Sequence, residues 1–137
     1  MSIDVKLLAD LTGKSVEETL YRSMIRSLMY LTVIRSDISF SVGVCARFQA
    51  NPKESHLTVV KRIICYVNGI VNYGIWYSRN TNLNLAGYSD ADWAGCANDR
   101  KSTLGGCFYV GTTLVAWLSK KQNFISFSTV EAEYIAA

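Results

Sequence analysis

Two acidic clusters stand out in this 137-residue chain, Ser89-Asp-Ala-Asp-Trp93 and Glu131-Ala-Glu133. A nuclease that works through divalent ions needs carboxylates from different elements converging on one point. Hard oxygen ligands hold Mg2+ there, and the ions activate water and stabilise the leaving oxygen. The pattern is compatible with that chemistry without being specific to it. Glu131 stands three residues after Ser128 in Ser128-Thr-Val-Glu131, a capping box, so helix capping accounts for it. Glu133 lies roughly 200° further round a helix and faces elsewhere; negative charge in a first turn is favourable in any case. Asp90 ends an apolar strand directed at a core, where a charge is costly unless paired or metal-bound. Asp92 is expected in the turn that follows. On spacing alone, carboxylates in exposed turns are the better reading of this set.

Other chemistries find less support. The cysteines at 45, 65, 96 and 107 form no CxxC pair, and His56 is the single histidine. The ligand spacing of a zinc site is therefore absent, and buried free thiols in a reducing compartment are expected. His56 reads as a surface or partner-packed residue, and the adjacent Lys61 and Arg62 as a solvated face. Half of the residues are apolar and 12% aromatic, enough to bury a core and argue against disorder. Residues 1–80 hold ten Lys/Arg and six Asp/Glu, residues 81–137 four and five. A basic half suits phosphate contacts, although a charge this small does not establish them. Met1–Asp10 lacks the apolar run of a signal peptide. The uncharged run Ser102–Ser119 is interrupted by Gly105, Gly106 and Gly111, so it reads as two strands and a turn, not a membrane span. An intracellular protein without membrane contact is expected.

The elements that must position the carboxylates follow from periodicity. Ser15-Val-Glu-Glu18 reads as a capping box opening a helix over about residues 16–33, with Leu20, Met24, Leu28 and Leu31 as its apolar stripe. A second helix starts near Asp37, with Ile38, Val42, Cys45 and Phe48 inward, and ends at Asn51-Pro52. Pro52 opens a third, carrying Leu57, Val60, Ile64 and Val67 and stopping at Gly69. The period then becomes extended. Strands are predicted at Tyr73–Tyr77, from Leu83 to Asp90, at Cys107–Val110 and at Leu114–Leu118, with Lys120–Asn123 as a loop. A last helix begins at Ser128 and runs to Ala137. The fold class is α+β: a three-helix unit over residues 1–72, then an antiparallel three-stranded sheet and partial helix over 73–137.

Read together, Ser89-Asp-Ala-Asp-Trp-Ala-Gly95, Asp99-Arg-Lys-Ser-Thr103, Ser119-Lys-Lys-Gln122 and Ser128-Thr-Val-Glu-Ala-Glu-Tyr134 resemble the RNase H domain of copia-type retrotransposons. Upstream, Leu20-Tyr-Arg-Ser23, Ser27-Leu-Met-Tyr-Leu31, Ala46-Arg-Phe48, Asn51-Pro52, His56, Lys61-Arg-Ile63 and Tyr73-Gly-Ile-Trp-Tyr77 resemble the end of that element's reverse transcriptase. The resemblance implies that Asp90 is the first-strand metal-binding aspartate and Glu133 the first-helix glutamate. In the family these help bind two Mg2+ ions that hydrolyse the RNA strand of an RNA–DNA hybrid, and the helical part is thumb-like or connection-like. Asp92 and Glu131 carry no ligand role there.

The resemblance also sets expectations about what is missing. The family's later carboxylates would follow Ala137 and the polymerase palm would precede Met1, so the chain alone is expected to be inactive, with weak or absent Mg2+ binding. Arg26, Ser36, Cys65 and Leu104 stand where the family usually has glycine, proline, arginine and serine. Arg26 is physically unexpected beside an apolar stripe. The implied partners are an RNA–DNA hybrid and the remainder of Pol, and the implied location of the parent element is a cytoplasmic virus-like particle or the nucleus. The alternatives are a nucleic-acid-binding remnant, or a host-retained small protein without nuclease activity, of the kind catalogued as plant mitochondrial or RxLR-effector-like copies.

Overall fold

The computed structural model describes residues 7, 9–72, 74–80 and 82–136. The chain is α+β and divides into two compact units, Met1–Gly74 and Ile75–Ala137.

In the first unit, α1 (Glu18–Leu31), a 3-10 turn (Ser36–Ile38), α2 (Ser39–Ala46) and α3 (Glu54–Gly69) follow one another. Tyr21, Ile25 and Leu28 recur at helical spacing on α1 and are buried with Ile38, Val42, Cys45, Val60 and Ile63. Each such aliphatic side chain contributes about 1.5–3 kcal/mol when removed from water. The buried stripe of α1 is therefore rotated from the expected Leu20–Met24–Leu28–Leu31 line. Leu20 is exposed, whereas Met24 and Leu31 only flank the core. Tyr21 drives the rotation, since its hydroxyl donates to the Cys45 carbonyl at 2.9 Å in the interior. Arg26 falls on the exposed side, so its charge stays in water.

One helix start departs from expectation, and another takes one of its two expected forms. Ser15 does not cap α1: Glu17 occupies the cap position without a side-chain bond. Ser15 pairs instead with Lys53 in an isolated antiparallel bridge, and its hydroxyl accepts from Lys53 Nζ at 2.9 Å. Of the two places expected for His56, surface or packed on a partner, the structure has the second. His56 is 1% exposed, stacks on Phe48 at 4.1 Å, and accepts the Lys53 N–H on Nδ1 at 3.1 Å at the start of α3.

A half-hidden ion pair closes this unit. Arg35 is 8% exposed and donates to both Asp37 oxygens, at 2.9 and 2.7 Å, and to the Ile70 carbonyl beyond α3 at 3.3 Å. Tyr66 on α3 donates to Asp37 at 3.0 Å. The linker after α1 is thereby fastened to α3.

The second unit holds β1 (Leu85–Asp92), β2 (Thr103–Val110), β3 (Thr113–Lys121) and α4 (Thr129–Ala136). The sheet is antiparallel in the order β1-β2-β3. β1 pairs with β2 from Leu85↔Val110 to Asp92↔Thr103, and β2 with β3 from Thr103↔Lys121 to Val110↔Thr113. The two-residue turn Gly111-Thr112 joins β2 to β3, and Gly111 has φ 60, which suits glycine in a hairpin. Residues 74–77 form no strand, and Tyr73 lies outside the described residues. Aromatic strand formers need a partner surface, and Trp76 is 85% exposed. Lys120 and Lys121 belong to β3, not to a loop, because Lys121 pairs with Thr103. α4 packs against β1 and β2. No helix among the described residues is long and apolar enough to cross a membrane.

The Asp37→Ala substitution is expected to destabilise the helical unit by about 1.5 kcal/mol, the scale of a charge-assisted hydrogen bond in a half-hidden pair. The hydrogen bonds from Arg35 hold the Asp37 carboxyl below the ordinary carboxylate range. Its stabilisation is therefore complete above about pH 4 and is lost as the pH falls through the depressed value. Urea unfolding followed by helical circular dichroism at neutral and acid pH checks both. An unchanged midpoint in the variant would remove the ion pair from this role.

Candidate functional site

β1 carries Asp90 inside the strand, opposite Gly105, and not at its end. The side chain is exposed, and Oδ1 accepts the Ala91 N–H at 2.8 Å. The expected buried charge is thus absent: Asp90 faces water. Asp92 is the last residue of β1, not part of the turn. The pleat places it on the same face as Asp90. Its carboxylate bends over Gly95, where a Cβ would collide with it.

α4 carries the second cluster. Ser128 Oγ accepts the Glu131 N–H at 3.1 Å, and Glu131 Oε2 accepts the Phe127 N–H at 2.7 Å. This is the expected reciprocal cap, with the return bond made one residue before Ser128. Glu131 is therefore engaged locally. Ala132 is fully buried, and Glu133 is exposed. Among the described residues Glu133 has no ion-pair partner. Asp90 and Glu133 thus stand, solvent-facing, on two elements that pack together.

Two carboxylates of this kind fit Mg2+ in chemistry, as hard oxygen donors. They do not complete a site. No group of three or more His, Cys, Asp or Glu side chains able to hold a metal is present among the described residues.

Around these carboxylates lies a polar network that periodicity gave no means of finding. Ser102 is fully buried, and its Oγ accepts the Ala94 N–H at 3.1 Å. Gln122 donates its backbone N–H to the Ser102 carbonyl at 2.8 Å and its Nε2 to the Ala132 carbonyl at 3.0 Å. Ser126 Oγ donates to Gln122 Oε1 at 3.0 Å, and Trp93 Nε1 donates to the Ser126 carbonyl at 3.1 Å. By its spacing the run Lys120–Asn123 reads as loop, although Trp93, Ser102 and Gln122 all fall in the strings that resemble the family.

Beside it, Lys121 Nζ lies 2.6 Å from Asp99 and 3.2 Å from Cys96 Sγ. Burial opposes ionisation of Asp99. The hydrogen bonds from Lys121, the Cys96 thiol and the Lys101 N–H outweigh it and hold the carboxyl at about 2. All four cysteines are free, but only Cys45 is buried, and burial pushes its thiol up to about 11. The expectation of buried thiols therefore holds at that one position. On the helical unit Lys61 and Arg62 are exposed along α3.

Comparison with known proteins gives several relatives. The chain is 43% identical over 121 residues to the retrovirus-related Pol polyprotein from transposon RE1 of Arabidopsis thaliana, covering 88% of this chain and 8% of that protein. It is 35% identical over 125 residues to an uncharacterized mitochondrial protein of the same plant, covering 91% of this chain and 52% of the relative. It is 39% identical over 117 residues to secreted RxLR effector protein 161 of Plasmopara viticola, covering 85% and 82%. The chain thus spans about half of the mitochondrial relative and a small part of the polyprotein. No family model matches, and no solved structure matches significantly.

Lys121→Met should let the Asp99 carboxyl climb from about 2 toward the ordinary value of about 3.9. Because the folded value is depressed, the contribution of this pair is present above about pH 4 and lost as the pH falls toward 2. A carboxyl carbon-13 titration reads the shift. A curve identical in the variant would show that Lys121 does not set it.

Proposed function

The chain belongs to the Pol polyproteins of copia-type retrotransposons, and from that premise we propose that it joins two of their working parts. Residues 1–72 are read as the thumb-like or connection-like end of the reverse transcriptase, and residues 73–137 as the opening portion of an RNase H-like domain. The activity served is hydrolysis of the RNA strand in an RNA–DNA hybrid. One observation carries the reading. Of the four acidic residues in the two clusters, Glu131 is taken up in helix capping, whereas Asp90, Asp92 and Glu133 are exposed on packed elements, and of these three Asp90 and Glu133 stand at the positions that match the family's ligands.

Asp90 and Glu133 would contribute oxygen ligands to Mg2+, which when bound supplies an activated water and stabilises the leaving oxygen. The chain's own part is to hold those two carboxylates on a rigid strand and a capped helix. Exposed Lys61 and Arg62 on α3 and the excess of cations in residues 1–80 suit contacts to the hybrid's phosphates.

A second reading, a stand-alone small protein without nuclease activity, is favoured by a different observation. The chain aligns with 82% of the Plasmopara viticola protein, and with 83% of a second uncharacterized mitochondrial protein of Arabidopsis thaliana. That reading requires no metal at Asp90 or Glu133.

In a Pol protein containing this segment, Asp90→Asn and Glu133→Gln are each expected to lower Mg2+-dependent hybrid cleavage by roughly a hundredfold or more, as for loss of a metal ligand worth several kcal/mol. Polymerisation should survive. Full cleavage by either variant would dispose of the nuclease reading. The 137-residue chain by itself is expected to bind hybrid with an affinity that falls steeply with salt. Replacing Lys61 and Arg62 by alanine should reduce the salt slope by about 2. A chain that binds no hybrid even at low salt would favour the second reading.

A further inference from the structure

Gln122 is the buried side chain that ties the sheet to the helix bearing Glu133. It directly follows β3 and is 4% exposed. Both ends of its side-chain amide are engaged, Nε2 with the Ala132 carbonyl in α4 and Oε1 with Ser126. Ala132 immediately precedes Glu133. Ser126 receives Trp93 Nε1 on its carbonyl, and Trp93 is the first residue after β1. The Gln122 backbone N–H is held by Ser102. A single amide therefore spans from the residue next to Glu133 toward the segment that leaves the strand of Asp90. An eight-residue helix is marginal in isolation, so its place depends on what docks it. Apart from the buried methyl of Ala132, this amide is the tie seen from the end of β3.

We propose that Gln122 is a positioning residue. Its amide fixes α4 relative to β1 and so sets the separation of Glu133 from Asp90 at which the two carboxylates share one divalent cation. The role rests on reading Asp90 and Glu133 as metal ligands. Gln122 itself is buried and touches no ion. A glutamine is suited to the task because it offers a donor and an acceptor at one fixed spacing. A methionine of similar length keeps the volume and offers neither.

The test is a Mn2+ titration of the nitrogen-15-labelled 137-residue chain, read by paramagnetic broadening of the Ala91 and Glu133 amide signals. This readout registers weak binding and does not depend on catalysis. In the unsubstituted chain both signals should broaden together at one Mn2+ concentration, and Asp90→Asn should abolish the joint response. With Gln122→Met the two signals should part, and the concentration required should rise by more than about fivefold, the scale of one of the two buried hydrogen bonds lost, while the β1–β2–β3 cross-strand contacts persist. Joint broadening that is unchanged in Gln122→Met overturns the positioning role and leaves the metal reading standing. Absence of joint broadening in the unsubstituted chain overturns both. Should Gln122→Met lose the sheet, Ser126→Ala decides by the same readout, since it removes only the bond to Oε1. It is expected to shift the response in the same direction by a smaller factor, and an unshifted response counts against the proposal.

Discussion

A primary amide withdrawn from water must find partners within the protein, because an unpaired buried donor or acceptor is more costly than its hydrogen bond is stabilising. The Gln122 amide meets that demand by reaching the Ala132 carbonyl in α4 and the Ser126 hydroxyl, while its backbone N–H is held by Ser102, and the arrangement of the second unit follows from it. Ser102, Thr103 and Ser126 are buried near that end of the sheet and Thr113 at the other, and among the unit's described residues the one fully buried apolar side chain is Ala132. The sheet-bearing unit is thus specified by directional bonds more than by apolar volume. Every buried side-chain nitrogen and oxygen described has a partner, which is the condition under which a polar interior is tolerated.

The helical unit is organised in the opposite way. Eight buried side chains, most of them aliphatic, form a contiguous core, and a few polar contacts are set within or around it. The Arg35–Asp37 pair fastens a linker, His56 closes the start of α3, and the Tyr21 hydroxyl satisfies one carbonyl of α2. The contrast has a consequence for surfaces. Leu85, Phe108, Phe127, Val130 and Tyr134 are all exposed in the second unit, so most of the apolar area that its strands and helix offer is not covered by the unit itself. Its strands β1 and β3 also each carry one unpaired edge within the described sheet. A polar knot of this kind can fix the register and the placement of α4. It supplies little of the area-proportional stabilisation that the helical unit draws from its core.

What could be read from residue order was what periodicity encodes. The stripe Ile38, Val42, Cys45, the stop at Gly69 and the cap at Ser128 all depend on spacing within one element, and the structure has them. The failures involve partners distant in sequence. Ser15 has the residues of a helix cap, yet Lys53 claims its backbone and hydroxyl across 38 positions. Residues 74–77 have the composition of a strand but no strand to pair with. His56 and Gln122 are polar residues drawn inside by tertiary contacts, and nothing in their neighbours' spacing announces it. Asp90 was expected at the end of a strand against a core. It lies within the strand and in solvent.

These differences bear on what a motif is evidence for. The four short strings that resemble the family's RNase H domain are largely scaffold: Trp93, Asp99, Ser102, Lys121, Gln122, Ser128 and Glu131 each make a bond that holds the loop after β1, the end of β3 or the start of α4 in place. Such residues would be needed by any chain that keeps this architecture, whether or not it hydrolyses anything. Asp90 and Glu133 differ. Asp90 accepts only the adjacent N–H, and Glu133 has no hydrogen bond among the described residues, so the stability of the unit gives no reason for either charge. The motif match therefore separates into a structural majority, which explains why the chain resembles its relatives, and an unassigned remainder of Asp90, Asp92 and Glu133, of which Asp90 and Glu133 match the family's ligand positions and carry any claim to catalysis.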